Sequence, residues 1–130
     1  MAGSRVAVDT NVVIALLQGD DEVVGNFEQC DEILLPFPVK GELFFGALKS
    51  GNPERNAERL DQVFAKCVTI PSSREVEVRY ARIKLGLSAK GRPIPENDIW
   101  VAACAGAEGV PLATRDRHFE SIEGLDVLVW

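Results

Sequence analysis

Four carboxylates in this 130-residue chain stand out for the company they keep: Asp9, Glu42, Asp98 and Asp116. Asp9 closes the apolar run Val6-Ala7-Val8, and Asp116 lies two residues past Leu112-Ala113-Thr114. Glu42 interrupts an almost wholly apolar stretch, with Val39, Phe45 and Gly46 three and four positions away on a helical wheel. Asp98 opens a segment whose next turn is Val101, Ala102 and Ala105, small enough to lie close against other backbone. Packed within a few ångströms, such acids repel one another, and one or more takes up a proton. A hard divalent cation removes that conflict, since Mg²⁺ and Mn²⁺ take carboxylate oxygens and water and need neither histidine nor thiolate. An all-oxygen metal site suits hydrolysis of a phosphodiester: the ion acidifies a water, polarises the phosphoryl oxygen and stabilises the leaving alkoxide.

Taken singly, each acid has an ordinary explanation. Asp9 reads as a helix cap, Asp98 as a first-turn acid favoured by the helix dipole, and Asp116 as an Asp-turn. Glu42 reads as a partner of Lys49, seven residues on and nearly aligned with it. Only their joint placement, where elements start, end or present small residues, points to a site. Arg115 and Arg117 flank Asp116 and suit phosphate oxygens; neutralising the acidic field, or simply facing solvent, explains them equally well. The one histidine, His118, excludes a histidine-rich metal site and reads as packing on the edge of Phe119 rather than as a general acid.

The hydrophobic pattern predicts the elements that must position these groups. Short strands are expected at residues 5–9, 32–37, 67–70, 110–114 and 127–130. Helices are expected at 11–17 (capped by Thr10 or Asn11), 20–29, 39–49, 53–66, 73–87 and 96–107, with a turn or helical piece around 118–121. Strands alternating with helices imply an α/β sandwich built on a short parallel sheet covered on both faces. In such sheets ligands bind beyond the carboxyl ends of the strands, where the strand order reverses. Asp9 and Asp116 each follow a strand directly.

Composition sets the outer limits. With 46% hydrophobic and 26% charged residues, the chain has the balance of a globular protein, and its length predicts one domain, 1–130. No apolar stretch approaches the ~18 residues of a membrane span. Arg5 is followed by only three apolar residues before Asp9, which is not the pattern of a signal peptide. Cys30, Cys67 and Cys104 form no CxxC pair and sit among apolar residues, so buried, unreactive thiols in a reducing, cytoplasmic compartment are expected. Their regular spacing is not a repeat, because the flanking segments share no pattern. A formal charge of −6 argues against simple electrostatic binding of nucleic acid.

The order and spacing of four segments resemble the PIN-domain ribonucleases, most closely the VapC-type toxins of toxin–antitoxin pairs. These are Val8-Asp9-Thr10-Asn11, Lys40-Gly41-Glu42-Leu43, Asn97-Asp98-Ile99-Trp100-Val101-Ala102-Ala103, and Leu112-Ala113-Thr114-Arg115-Asp116-Arg117-His118-Phe119 with Ile122-Glu123-Gly124-Leu125-Asp126-Val127 after it. The resemblance covers nearly the whole chain and implies a PIN-like three-layer α/β/α sandwich. It further implies that Asp9, Glu42, Asp98 and Asp116 form a catalytic, metal-binding cluster oriented by Asn11 and Thr114. The implied activity is Mg²⁺- or Mn²⁺-dependent cleavage of RNA, by a homodimer silenced by a cognate VapB-like antitoxin whose tail enters the active-site groove. Phe44, Phe45 and the helices after Asp9 and Pro53 are candidates to line that groove, with core packing the alternative for each aromatic. Treating the four acids as metal ligands moves the remaining formal charge from −6 to −2, so the acidic balance then speaks only against non-specific RNA binding.

Two other classes bear comparison. A PIN-like module that binds nucleic acid or a protein partner without cleaving would be favoured by loss of a cluster acid, and none is missing. A haloacid-dehalogenase-type phosphatase needs a second Asp two residues after the first strand-end Asp, where this chain has Asn11. A phospho-receiver domain needs a pair of adjacent acids before the first helix and a late lysine, which are not in place.

Overall fold

The computed structural model describes residues 4–130; the first three residues of the expected 1–130 domain lie outside the described residues. Five strands, β1 (Arg5–Val8), β2 (Glu32–Pro36), β3 (Val68–Ile70), β4 (Leu112–Thr114) and β5 (Val127–Val129), form one sheet in the order β3-β2-β1-β4-β5. Every pairing in it is parallel. Parallel neighbours need long crossovers, and helices supply them here. α1 (Thr10–Leu17) and α2 (Asp21–Gln29) lead to β2, and α3 (Phe37–Leu48) and α4 (Pro53–Phe64) lead to β3. α5 (Arg74–Ala89) and α6 (Glu96–Glu108) lead to β4, and a 3₁₀ turn (Arg117–Ser121) precedes β5.

The three central strands read as unbroken apolar runs because both faces of the sheet are covered. Ala7, Val8, Leu34, Leu35, Leu112 and Ala113 are all essentially inaccessible to solvent. This is the expected three-layer α/β/α sandwich. The chain builds outward from β1 through β2 to β3, then returns to the other side of β1 to place β4 and β5. The order therefore reverses between β1 and β4, which pair through Ala7 with Leu112 and Val8 with Ala113. The segments leaving these two strands diverge and open a crevice.

Two helix starts differ from the sequence expectation. Asp9, not Thr10 or Asn11, caps α1, because its extended backbone lets its carboxylate accept the Thr10 N–H. α3 begins at Phe37 rather than near residue 39; Pro38 falls in its first turn, where a missing N–H leaves no hydrogen bond unmade. β2 accordingly stops at Pro36. Of the three free cysteines only Cys104 is fully buried, while Cys30 and Cys67 are half-buried. Burial nevertheless raises all three thiols above their ordinary pKa, Cys104 to about 11, which keeps them poor nucleophiles at neutral pH.

Two aromatic contacts fix the ends that matter for the crevice. Trp100 of α6 stacks on Tyr80 of α5 with ring centroids 3.9 Å apart and meets Phe37 edge-on at 6.1 Å, which holds the first turn of α6 in place. Phe119, fully buried, pins the 3₁₀ turn that follows Asp116. Phe119→Ala should cost about 3–5 kcal/mol of unfolding free energy in a denaturant titration, with Phe119→Leu substantially milder. A loss below about 1 kcal/mol in the alanine variant would show that the turn is not anchored by this ring.

Candidate active site

The two strands at the reversal are tied together by one hydroxyl. Asp9, only 5% exposed, accepts the Thr10 backbone N–H at 2.8 Å through Oδ1 and the Thr114 hydroxyl at 2.8 Å through Oδ2. Thr114 Oγ1 in turn accepts the Asp116 backbone N–H at 3.0 Å. The end of β4 is thereby locked to the start of α1. Asp116 then bends the chain: its Oδ1 accepts the His118 N–H at 2.9 Å, an Asx turn that caps the 3₁₀ turn.

Asp98 reaches the same crevice from the first turn of α6. Its Oδ2 lies 3.5 Å from His118 Nδ1, which is itself 3.1 Å from Asp116 Oδ1. Glu42 approaches from α3 and is the one solvent-exposed member of the four. The Asn97 side-chain amide donates to Glu42 Oε1, joining α3 to the start of α6. Lys49 does not pair with Glu42; its ammonium sits 4.7 Å from the centroid of the Phe45 ring instead, so the simple ion-pair explanation of Glu42 falls away.

These acids act on one another electrostatically. Burial is the first cause in raising the carboxyl pKa of Asp9, Glu42 and Asp98. Like charge adds to it: Asp116 acts on Asp9, Asp9 and Asp98 act on Glu42, and Asp9 and Asp116 act on Asp98. For Asp9 the Thr114 hydroxyl and Thr10 N–H pull the other way without cancelling the rise, and for Asp98 the nearby His118 does the same.

Of the supporting residues, Thr114 has the expected orienting contact with Asp9. Asn11 acts differently, its Oδ1 accepting the Arg115 N–H at 3.3 Å and so holding the backbone beside Asp116. Arg115 is turned away from the crevice: Nε donates to the Trp130 carbonyl at 2.8 Å, and a guanidinium nitrogen pairs with Asp20 at 2.8 Å. Arg117 is exposed at the start of the 3₁₀ turn, with no ion pair among the described residues. Phe44 packs edge-on against Phe64 at 5.3 Å, whereas Phe45 is 65% exposed. The helices after Asp9 and Pro53 do face each other across a cavity of about 490 Å³, lined by Leu16, Leu17, Phe27, Arg59 and Val63 among others, and by none of the four acids.

Sequence reasoning missed two residues here. Asn97 carried a signal in its place beside Asp98, but only the packing of α6 on α3 brings it to Glu42. His118 carried one in its position two residues after Asp116, the spacing at which an Asx turn folds a side chain back over the carboxylate.

The donor set fits a hard divalent cation. Carboxylates with raised pKa values converge in one crevice, and oxygens of Asp98 and Asp116 lie with a ring nitrogen of His118 within 4.8 Å of one another. The Thr10 hydroxyl, shielded from solvent, lies beside the Glu42 carboxyl and acts to lower its pKa against the larger effect of burial.

Fold and site together define a parallel α/β protein with an acidic, oxygen-rich centre at the switch point of its sheet. Comparison with known proteins makes this specific. A family model described as the PIN domain matches residues 6–125. The chain is 31% identical to ribonuclease VapC2 of Haemophilus influenzae over 97% of its own length and 98% of the relative's. It is 30% identical to ribonuclease VapC5 of Mycobacterium tuberculosis, over 90% of its length and 87% of the relative's. The crystal structure of VapBC2 from Rickettsia felis, bound to a DNA fragment from their promoter, superposes with a TM-score of 0.90. It is 27% identical, with 97% of this chain and 98% of that one covered. This chain belongs to the PIN-domain family, as a member of its VapC type.

The raised carboxyl values carry a linkage consequence. For Asp9, Glu42 and Asp98 the folded state binds protons more tightly than the unfolded chain, so stability falls as pH rises. The loss begins near the ordinary carboxylate pKa of about 4 and is complete above the raised native values. In EDTA, the melting temperature should therefore rise as the pH is lowered from about 7.5 through the raised carboxyl values towards the ordinary carboxylate range, and saturating Mg²⁺ or Mn²⁺ should flatten that dependence. Asp98→Asn should raise the metal-free melting temperature and shrink the gain on adding metal. A metal-free melting temperature that falls on acidification through this range would contradict the assignment.

Proposed function

We propose that this protein is a metal-dependent endoribonuclease of the VapC type, hydrolysing RNA phosphodiester bonds at Asp9, Glu42, Asp98 and Asp116. The observation that carries the reading is the convergence of four acids from four separate regions of the chain into one set of mutually repelling carboxylates. Relatives named as ribonucleases support it, including a tRNA(fMet)-specific endonuclease VapC of Salmonella typhimurium, 30% identical over 68% of each chain. Solved VapBC structures likewise support a cognate VapB-like antitoxin as partner. We extend the reading to a cytoplasmic homodimer in which residues 1–130 act as one domain.

In this mechanism Asp9, Glu42, Asp98 and Asp116 would hold Mg²⁺ or Mn²⁺. When bound, the ion supplies an acidified water for attack on phosphorus and positive charge for the leaving oxygen. Thr114 fixes the Asp9 carboxylate through its 2.8 Å hydrogen bond, and Asn97 keeps Glu42 turned towards α6. Asn11 steadies the Arg115 backbone, so that Asp116 has little freedom to swing away. Arg117, exposed and without an ion pair among the described residues, is the better placed of the two arginines to meet an RNA phosphate. Arg115, engaged by Asp20 and Trp130, braces the site instead.

Asp9→Asn and Asp98→Asn should each abolish Mg²⁺- or Mn²⁺-dependent cleavage while leaving the circular dichroism spectrum unchanged. Sequencing the ends produced in total RNA by the pure protein, with Asp9→Asn as control, tests both the activity and its target. Full cleavage by either variant, or by the wild type in EDTA, would sink the proposal. Tight RNA binding without cleavage in any of several metals would replace it with the binding-only reading.

A further inference from the structure

His118 approaches the acids with geometry that hydrogen bonding alone does not require. Its Nδ1 lies 3.1 Å from Asp116 Oδ1 and 3.5 Å from Asp98 Oδ2, so one nitrogen addresses carboxylates from two different elements. Two adjacent ligands of an octahedral ion with bonds of about 2.1 Å stand about 3.0 Å apart. The Nδ1–Asp116 separation matches that of neighbouring ligands and the Nδ1–Asp98 separation is about half an ångström longer, and all three donors lie within 4.8 Å of one another. The arrangement is built by the chain: the Asp116 carboxylate accepts the His118 backbone N–H and so curls the ring back over itself, while the buried Phe119 fixes the next residue. The imidazole is 53% exposed, which leaves the far side of an ion held here open to water and substrate.

We propose that His118 is a nitrogen ligand of the same ion that Asp98 and Asp116 hold, and that it biases this site towards Mn²⁺ over Mg²⁺. The inference rests on the metal-centre reading above and deepens it. Mg²⁺ is satisfied almost wholly by oxygen, whereas imidazole nitrogen suits first-row transition ions. Replacing one oxygen donor by Nδ1 therefore discriminates between two ions that an all-carboxylate site treats alike. In this arrangement Nδ1 gives its lone pair to the ion and the ring proton sits on Nε2.

The chain contains one histidine, which makes the test unusually direct. Tag-free protein loaded with Mn²⁺ is measured by electron spin-echo spectroscopy, where a coordinated imidazole modulates the echo through its nitrogen. Modulation is expected in the wild type and absent in His118→Ala. Competition titrations should show the Mn²⁺/Mg²⁺ affinity ratio falling about tenfold or more in His118→Ala. Bound Mn²⁺ that is displaced by Asp98→Asn, yet gives no nitrogen modulation and an unchanged ratio in His118→Ala, would overturn the role of His118 alone. Failure of the wild type to bind Mn²⁺, or binding indifferent to Asp98→Asn, would overturn the metal centre itself and this inference with it. Should His118→Ala fold poorly, the wild-type spectrum still decides, because no other histidine can produce the signal.

Discussion

Carboxylates cannot share a crevice in their charged form without something positive among them, and that constraint organises this molecule. Asp9 is nearly inaccessible and Asp98 largely covered, so water alone compensates them poorly. The protein supplies partial relief through neutral donors: the Thr114 hydroxyl and Thr10 N–H for Asp9, the His118 N–H for Asp116 and the Asn97 amide for Glu42. No described lysine or arginine forms an ion pair with any of the four. A permanent cation in that position would stabilise the resting protein and occupy the place of an ion. The site is left underneutralised, and burial together with like charge raises its carboxyl pKa values.

Sheet topology makes this tension possible. Because β1 and β4 are neighbours at the point where the strand order reverses, their carboxyl ends leave a gap between the departing segments. Small residues do the rest. Ala102, Ala103 and Ala105, all buried, let α6 settle into the sandwich, and this brings Asp98 to the gap, while the Tyr80–Trp100 stack prevents that end of α6 from lifting. The Asp20–Arg115–Trp130 linkage ties the loop after β4 to the start of α2 and to Trp130, which itself packs on Phe27 at 5.7 Å. The rigidity of the acidic segment thus draws on contacts spread across the fold.

Much of this was legible in the sequence, for a physical reason. Strands buried on both faces are written as unbroken apolar runs, and an acid immediately after such a run cannot avoid the strand end. Asp9 and Asp116 could therefore be placed from local pattern, and Asp98 from the small residues that follow it. What the sequence could not show depends on side-chain direction. Arg115 and Arg117 are two residues apart and look alike, yet only Arg115 faces Asp20. Lys49 is aligned with Glu42 on an ideal wheel, but the exposed Phe45 ring nearby gives its ammonium a competing partner. The cap of α1 falls on Asp9 because the residue that follows β1 is still extended, so one carboxylate serves as both cap and proposed site member.

The formal charge of −6 looks at first like a barrier to an RNA substrate, and the arrangement of the acids inverts that reading. Charge concentrated on four converging carboxylates is charge that a divalent ion can cancel or reverse locally, whereas the same number of acids spread over the surface would repel phosphate wherever it approached. On the proposed mechanism, an acidic protein of this design would have little hold on polyanions in general and would acquire one at the crevice when an ion is bound there. The same concentration of charge suits inhibition: a basic segment from a partner such as a VapB-like antitoxin would find its strongest attraction where the ion belongs. Affinity for substrate, metal and inhibitor would then be set by one small set of oxygens, so that whichever of the three weakens the repulsion among Asp9, Glu42, Asp98 and Asp116 does so at the expense of the others.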